Sequence, residues 1–600
     1  MYRFTLILAI LALSGCGQKK EEIPPLPTMQ TSSGKIIVYQ LMTRLFGNKE
    51  TLNKPYGTLE ENGVGKFSDI NDRALISLKQ LGITHVWYTG VLEHALLTDY
   101  TKYGIPLDDA DVVKGRAGSP YAIKDYYDIN PDLATSVTNR MQEFEQLIER
   151  THRHELKVLI DFVPNHVARA YQSDARPKGV RDLGEDDDTS VKFKASNNFY
   201  YLPGESFQVP RDYNSLGLDN TFLTKDGKYE EMPAKISGNG SLTSSPGMFD
   251  WFETVKLNYG VDILGGNNTG FDPVPDTWIK MKDILVYWAG KKVDGFRCDM
   301  AEMVPVEFWN WAIPQVKAVN PEILFIAEIY NPAQYRNYLN KGRFDFLYDK
   351  VQLYDTLRDL IAGRKSTRDI GAIQKSLDGI NSFMLHFMEN HDEQRIASKH
   401  FAGNPWKAIP AMVISSTIDQ GAVMIYFGQE VGEPATGNPG FGSIEGPGVT
   451  TKWDYWGVPE HQKWMNGGAF DGALLSEDQT ELRNFYSSIL NLAGKHPAIV
   501  SGDYEDITAY NIDQKNFNDD VFACLRFTGD RKLLVVAGFN TSARRISVSI
   551  PSLVADKLLI STNKEYTLRE ILWKGEGKTL KELTVNLELP AFGAFVFEIE

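Results

Sequence analysis

Eight short runs rich in β-branched and aromatic residues recur along this 600-residue chain. They read KIIVYQLM (35–42), THVWYTG (84–90), LKVLIDFV (156–163), VDGFRCD (293–299), ILFIAE (323–328), FDFLYD (344–349), FMLHFMEN (383–390) and AVMIYFG (422–428). Amphipathic stretches separate several of them, among them DINDRALISLKQLG (69–82), with Asp69 as its expected cap, and NRMQEFEQLIERTHRHE (139–155). Strands that alternate with helices predict a parallel sheet with right-handed crossovers. Eight such strands predict a closed (β/α)8 barrel. Polar residues gather at the strand ends: Asp161, Asn165 and His166, then Asp299, Glu328, His391 and Asp392. In a barrel of this kind the residues just past the C-terminal strand ends form the active site.

Two regions break the alternation. Residues 167–255 are rich in Gly, Asp and Asn, with GEDDDTS and GNGSLTSSPG, and are too long for a plain loop. They predict a small inserted domain after the third strand. From residue 497 onward strand-like runs replace helical ones (DVFACLRFTG, KLLVVAGFN, RRISVSI, AFGAFVFEIE), which predicts a C-terminal β-sandwich over 497–600. The barrel is therefore assigned to 35–166 and 256–496.

The N-terminus carries a separate signal. Arg3 precedes FTLILAILAL, an apolar run too short to span a bilayer comfortably, and LSGC follows at 13–16. LSGC resembles the bacterial lipobox, which implies a signal peptide over 1–15, cleavage before Cys16 and acylation of Cys16. The segment 16–34 reads as a flexible, charged, Pro- and Ser-containing tether. The expectation is an exported protein anchored by lipid to a bacterial membrane, with Gly17 favouring the outer one. Only Cys298 and Cys524 remain, too few for a disulfide framework, although one bridge between them stays open. A formal charge of −15 argues against nucleic-acid partners, which require clustered Lys and Arg. A neutral substrate fits better, and the 12% aromatic share suits flat apolar platforms with polar rims. No H-E-x-x-H pair is present, and His152 and His154 in THRHE fall on different faces of a predicted helix, so a metal-dependent hydrolase is a poor fit.

The run DGFRCDMAEM (294–303) poses the sharpest question. Alternation points Arg297 and Asp299 to one side and Cys298 to the other, and burying such an ion pair costs several kcal/mol per ion unless geometry compensates. DFVPNH (161–166), GFRCDMAEM (295–303), FIAEIY (325–330) and FMENHDEQR (387–395) resemble, in order, four short regions of the α-amylase superfamily, glycoside hydrolase family 13. GAVMIYFGQEVG (421–432) is similar to its eighth strand, and SPYAIKDYYDINPDLAT (119–135) to the segment before its third. The resemblance implies Asp299 as nucleophile, held ionised by Arg297 through a lowered pKa, Glu328 as general acid and base, and Asp392 as the third carboxylate. It further implies sugar contacts from Tyr121, His166, His391 and Arg395, and a calcium-ligand position at Asn165.

Departures from the pattern carry information too. Glu302 and Met303 stand where many α-amylases have Lys-His, so recognition on the leaving-group side is expected to differ. Lys256 in TVKLN (254–258) stands where the family often has an acidic calcium ligand, and a lysine cannot ligate Ca²⁺. The chemistry itself requires no cofactor, and a calcium ion held elsewhere, by GEDDDTS or by GNKETLNKPYGTLEENG (47–63), stays open. The leading expectation is a retaining hydrolase of maltooligosaccharides or starch-like α-glucans. An α-glucan transferase or isomerase using the same intermediate is the alternative, and a non-catalytic glycan-binding lipoprotein is a third, opposed by the presence of all three carboxylates. Oligomeric state, linkage preference and endo or exo attack are not encoded in these motifs.

Overall fold

All eight runs form strands in the computed structural model, which describes residues 34–600 except 220, 513, 515 and 516. The lipobox, Cys16 and nearly all of the tether lie outside the described residues. The strands are β1 (Ile37–Met42), β2 (His85–Thr89), β3 (Lys157–Phe162), β4 (Gly295–Cys298), β5 (Leu324–Ala327), β6 (Phe346–Tyr348), β7 (Met384–Phe387) and β8 (Ala422–Tyr426). Each pairs in parallel with its sequence neighbours, and β8 closes onto β1 with Ile37 opposite Val423 and Gln40 opposite Tyr426. Closure removes the sheet edges that would otherwise recruit other strands.

Helices cover the outside of the barrel. The first, Asp72–Leu81, buries Ala74, Leu75, Leu78 and Leu81, the i, i+1, i+4, i+7 stripe of a helix lying on a sheet. Its cap is Asn71, whose side chain accepts from the Ala74 N–H, and not Asp69, which instead accepts from the Lys66 N–H of the preceding turn. Both residues are good caps by type, and the turn at Phe67–Asp69 moves the helix start by two positions. Gly82 ends this helix at φ +102°, and a Cβ there would stand 2.9 Å from the Asn491 backbone nitrogen. Helix Arg140–Arg153 buries Phe144, Leu147, Ile148 and Thr151 in the same manner.

The segment after β3 is built from short antiparallel pairs rather than one sheet. His166–Ala168 pairs with Thr254–Lys256, and Tyr201–Leu202 with Ala234–Lys235, over a core that includes Tyr200, Leu202, Phe207, Ile236 and Phe252. Arg169 stands at its centre, donating to Phe252 O (2.7 Å) and Glu231 (2.6 Å) beneath the Phe207 ring. In the C-terminal part, six antiparallel strands in the order 503–506, 521–528, 531–538, 594–599, 566–570, 578–580 face the pair Arg544–Ser549/Thr584–Leu589 across a separate core. Arg526 ties this sheet to the barrel side by donating to Ile418 O, Ala498 O and Ile499 O. Cys298 and Cys524 are both buried and free, so no bridge joins them.

Candidate active site

The pair in DGFRCDMAEM is buried, and Arg297, only 1% exposed, serves several carboxylates. Its Nη1 donates to Asp299 Oδ1 at 2.5 Å, and its Nη2 lies 2.8 Å from Glu328 Oε2, although not along a hydrogen-bond direction. Nη1 is also 3.6 Å from Asp161 Oδ1, while Trp87 donates to Asp161 Oδ2 at 3.0 Å. The rings of Trp87, Tyr121 and Tyr348 surround the guanidinium at 5.3 to 5.5 Å, which favours a desolvated cation. One cation thus spans the tips of β3, β4 and β5, and this arrangement offsets the cost of burying it.

Glu328 is held from both sides. The Met300 N–H donates to Oε2 at 2.8 Å and the Tyr330 hydroxyl to Oε1 at 2.7 Å. Met300 adopts φ +43° and ψ 41°, a left-handed conformation that a methionine does not prefer, and this backbone strain aims its N–H at Glu328. Burial pushes Glu328 above the usual carboxylate range; Arg297 opposes this, and the charges of Asp299 and Asp392 add to it. Asp299 was expected to be lowered by Arg297. Instead, burial raises its pKa, with Arg297 opposing but not cancelling the effect. Asp161 is raised to about 7, again chiefly by burial. The site crowds more carboxylates than cations into one low-dielectric volume, which raises the carboxyls of Asp161, Asp299 and Glu328.

Asp392 behaves differently. Its side chain, at the loop past β7, is 33% exposed. Burial pushes its pKa up, but His391 and Lys452 outweigh that and hold it well below the usual range. Lys452 Nζ stands 2.5 Å from Asp392 Oδ1 and also pairs with Glu445. His391 is buried, and burial lowers its pKa. With the Gln40 amide nitrogen donating to Nδ1 at 2.8 Å, its neutral ring carries the proton on Nε2, which lies 2.6 Å from the Tyr121 hydroxyl and 3.0 Å from Asp392. Tyr121 and His391 also stack, with centroids 5.1 Å apart.

His166 is buried, with a pKa lowered to about 3 by burial, so it is neutral and able to donate from one ring nitrogen. Beside it, Asn165 donates to Gly238 O at 2.9 Å, and its Oδ1 accepts from the Lys256 ammonium. One expectation is corrected here. Arg395 does not face a sugar: it is fully buried, its Nη1 held by Glu389 and Phe427 O and its Nε by Thr450, beneath the Tyr426 ring. Glu302, at the position where recognition was expected to differ, has its carboxylate accepting the Tyr330 and Asn331 N–H groups, both at 3.1 Å. It fixes the loop that delivers Tyr330 to Glu328.

Gln40, Trp87, Tyr348, Tyr330, Lys452 and Glu445 were missed as site residues. The first three sit on inward-facing strand positions, where alternation could have found them. Lys452 and Glu445 lie in a glycine-rich loop after β8, where no periodicity marks them.

Two paired carboxylates and a third charged one at the mouth of a (β/α)8 barrel define a glycosidase type of site. The sequence profile of the α-amylase catalytic domain matches residues 52–216 and 274–462, and the chain belongs to that family. α-Amylase 3 of Dictyoglomus thermophilum is 25% identical over 70% of this chain and 74% of its own length. A cyclomaltodextrin glucanotransferase of Bacillus sp. (strain 1011) is 21% identical over 66% of this chain, which spans only 49% of that protein. The crystal structure of a maltogenic α-amylase from Thermotoga neapolitana superposes with a TM-score of 0.59 at 18% identity, covering 94% of this chain and 98% of that one. That last likeness speaks to fold alone.

Proposed function

We propose that the protein hydrolyses α-glucosidic bonds in maltooligosaccharides or starch-like glucans with retention of configuration. The observation that carries this is Arg297, which contacts Asp299 and Glu328 at once and so brings a nucleophile and a proton donor to one bond. Glu328, whose pKa burial raises, gives its proton to the leaving glycosidic oxygen while an Asp299 oxygen attacks the anomeric carbon, forming a glycosyl ester. Glu328, now ionised, takes a proton from water as that water attacks the same carbon and releases Asp299. Asp392, kept ionised by Lys452, faces the sugar hydroxyls and the positive charge that develops on the ring. His166 supplies an N–H donor, His391 holds Tyr121 and Asp392 through its Nε2, and Tyr121 offers a ring against the sugar face.

The usual family calcium does not fit at Asn165, whose Oδ1 is taken by the Lys256 ammonium. A cation is already in place there, and no step of the chemistry passes through a metal. The Lys256 pKa, lowered to about 8 by burial, leaves it largely charged at neutral pH. The LSGC sequence supports export and lipid anchoring through Cys16. Cys16→Ser should release the protein from the membrane fraction, and retention there would contradict the anchor.

The glucanotransferase relatives support a second reading, in which a sugar hydroxyl replaces water in the second step. Maltoheptaose incubated with the purified protein separates the two. Hydrolysis yields only shorter linear sugars and one new reducing end per cleavage, whereas transfer yields longer or cyclic products with no matching rise in reducing ends. Neither outcome with an active protein would refute the α-glucan assignment, and failure to act on any α-glucan would.

A further inference from the structure

A second cluster of carboxylates lies away from the catalytic recess. Just past β2, the short strand Leu92–His94 pairs antiparallel with Ile123–Ile129. Glu93 on the first strand, Asp128 on the second and Asp174 on the segment following His166 each bring an oxygen within 4.8 Å of the others. Calcium binds oxygens at about 2.4 Å, so two ligands of one ion lie at most about 4.8 Å apart. Among the described residues this is the only such convergence of acidic, histidine or cysteine side chains.

Proximity alone would not make a site, but Glu93 adds a second observation. It is 1% exposed, and neither of its carboxylate oxygens has a hydrogen-bond partner among the described residues. A buried carboxylate with two idle oxygens is costly unless something binds it. Burial, with Asp128 and Asp174 adding to it, pushes Glu93 up to about 9. Neither neighbouring cation bonds Glu93: Lys124 is 3.0 Å from Asp108, and Arg140 holds both oxygens of Asp128, through Nε at 2.9 and 3.0 Å and through Nη2. Asp174 is exposed and gives an ion a route in from solvent.

We propose that Glu93, Asp128 and Asp174 form a calcium site that clasps the 92–129 hairpin to the segment following His166. The surroundings fit such a clasp. Asp125 of the same strand accepts from Ser173 Oγ (2.7 Å) and from the Asp174 and Ala175 N–H groups (2.9 Å each). Tyr121, which reaches His391, immediately precedes this strand. Carboxylates in an irregular cage suit calcium, which tolerates flexible coordination, better than magnesium, which demands a near-ideal octahedron.

The test is calorimetric titration of Ca²⁺ into full-length protein stripped with a chelator and then freed of it. One Ca²⁺ per chain should bind and raise the melting temperature. Glu93→Gln and Asp174→Asn should each weaken binding roughly tenfold or more. The exposed position of Asp174 keeps the second variant foldable, so it decides the matter should the first not fold. Absence of Ca²⁺ binding to the unsubstituted chain, or binding unchanged by either substitution, would overturn the site.

Discussion

Lys452→Met isolates the charge that keeps Asp392 ionised. A pair at 2.5 Å interacts by about 6–7 kcal/mol at an effective dielectric of 20. Because the Asp392 side chain is 33% exposed, solvent screening and a replacement water reduce this to about 1–3 kcal/mol. The Asp392 pKa should therefore rise. Asp392 is depressed in the folded protein, so its contribution to stability is present above the unfolded carboxylate pKa and is lost as pH falls through the folded value. The variant should lose that contribution, and Glu445 loses its partner too. The assay is the pH profile of kcat/KM on maltoheptaose together with melting temperature. The melting temperature of Lys452→Met should fall below the native value near neutral pH, converge on it in acid, and recover in Lys452→Arg. A Lys452→Met protein that keeps the native melting temperature and pH dependence would refute the claim that Lys452 sets the charge of Asp392.

Tyr330→Phe removes a hydroxyl that donates to Glu328 at 2.7 Å and favours its ionised form. The alkaline limb of the same profile should therefore move upward by up to about one unit, and a downward shift would contradict the donor assignment. His386, buried beneath the site between Asp419 (3.0 Å) and Asp349 (3.3 Å), has its pKa raised to about 9 by those carboxylates against the effect of burial. Its stabilisation is complete below about 6.5 and is lost as pH rises through about 9, amounting to about 3 kcal/mol. Melting temperature should fall across that window in the native protein and much less in Asp419→Asn, and a flat native curve would contradict the charged histidine.

The barrel was readable because eight strand runs carry their own composition, and closure follows from their number and their alternation with helices. Asp299 and Glu328 were visible as the ends of such runs, and their roles, with that of Asp392, came from the resemblance of four short motifs to the α-amylase superfamily. What escaped depends on tertiary placement. Asn71 rather than Asp69 caps the first helix because a turn intervenes. The direction of the Asp299 shift depends on how completely β4 is enclosed, and no local pattern reveals that. Arg395 has a residue type that suits a sugar, yet the chain folds it onto Glu389. Lys452 and Glu445, and equally Glu93, Asp128 and Asp174, come together only through loop paths that carry no periodic signal.

The claim on which the rest depends is that Asp299 becomes covalently glycosylated. Incubation with a 5-fluoro α-glucosyl fluoride slows release of the sugar more than its attachment, and peptide mass spectrometry then locates the label. The account predicts one fluoroglucosyl group per chain on the peptide containing Asp299, accumulating in the native protein and absent in Asp299→Asn. A label on another residue, or turnover that gives sugar of inverted anomeric configuration, would contradict it.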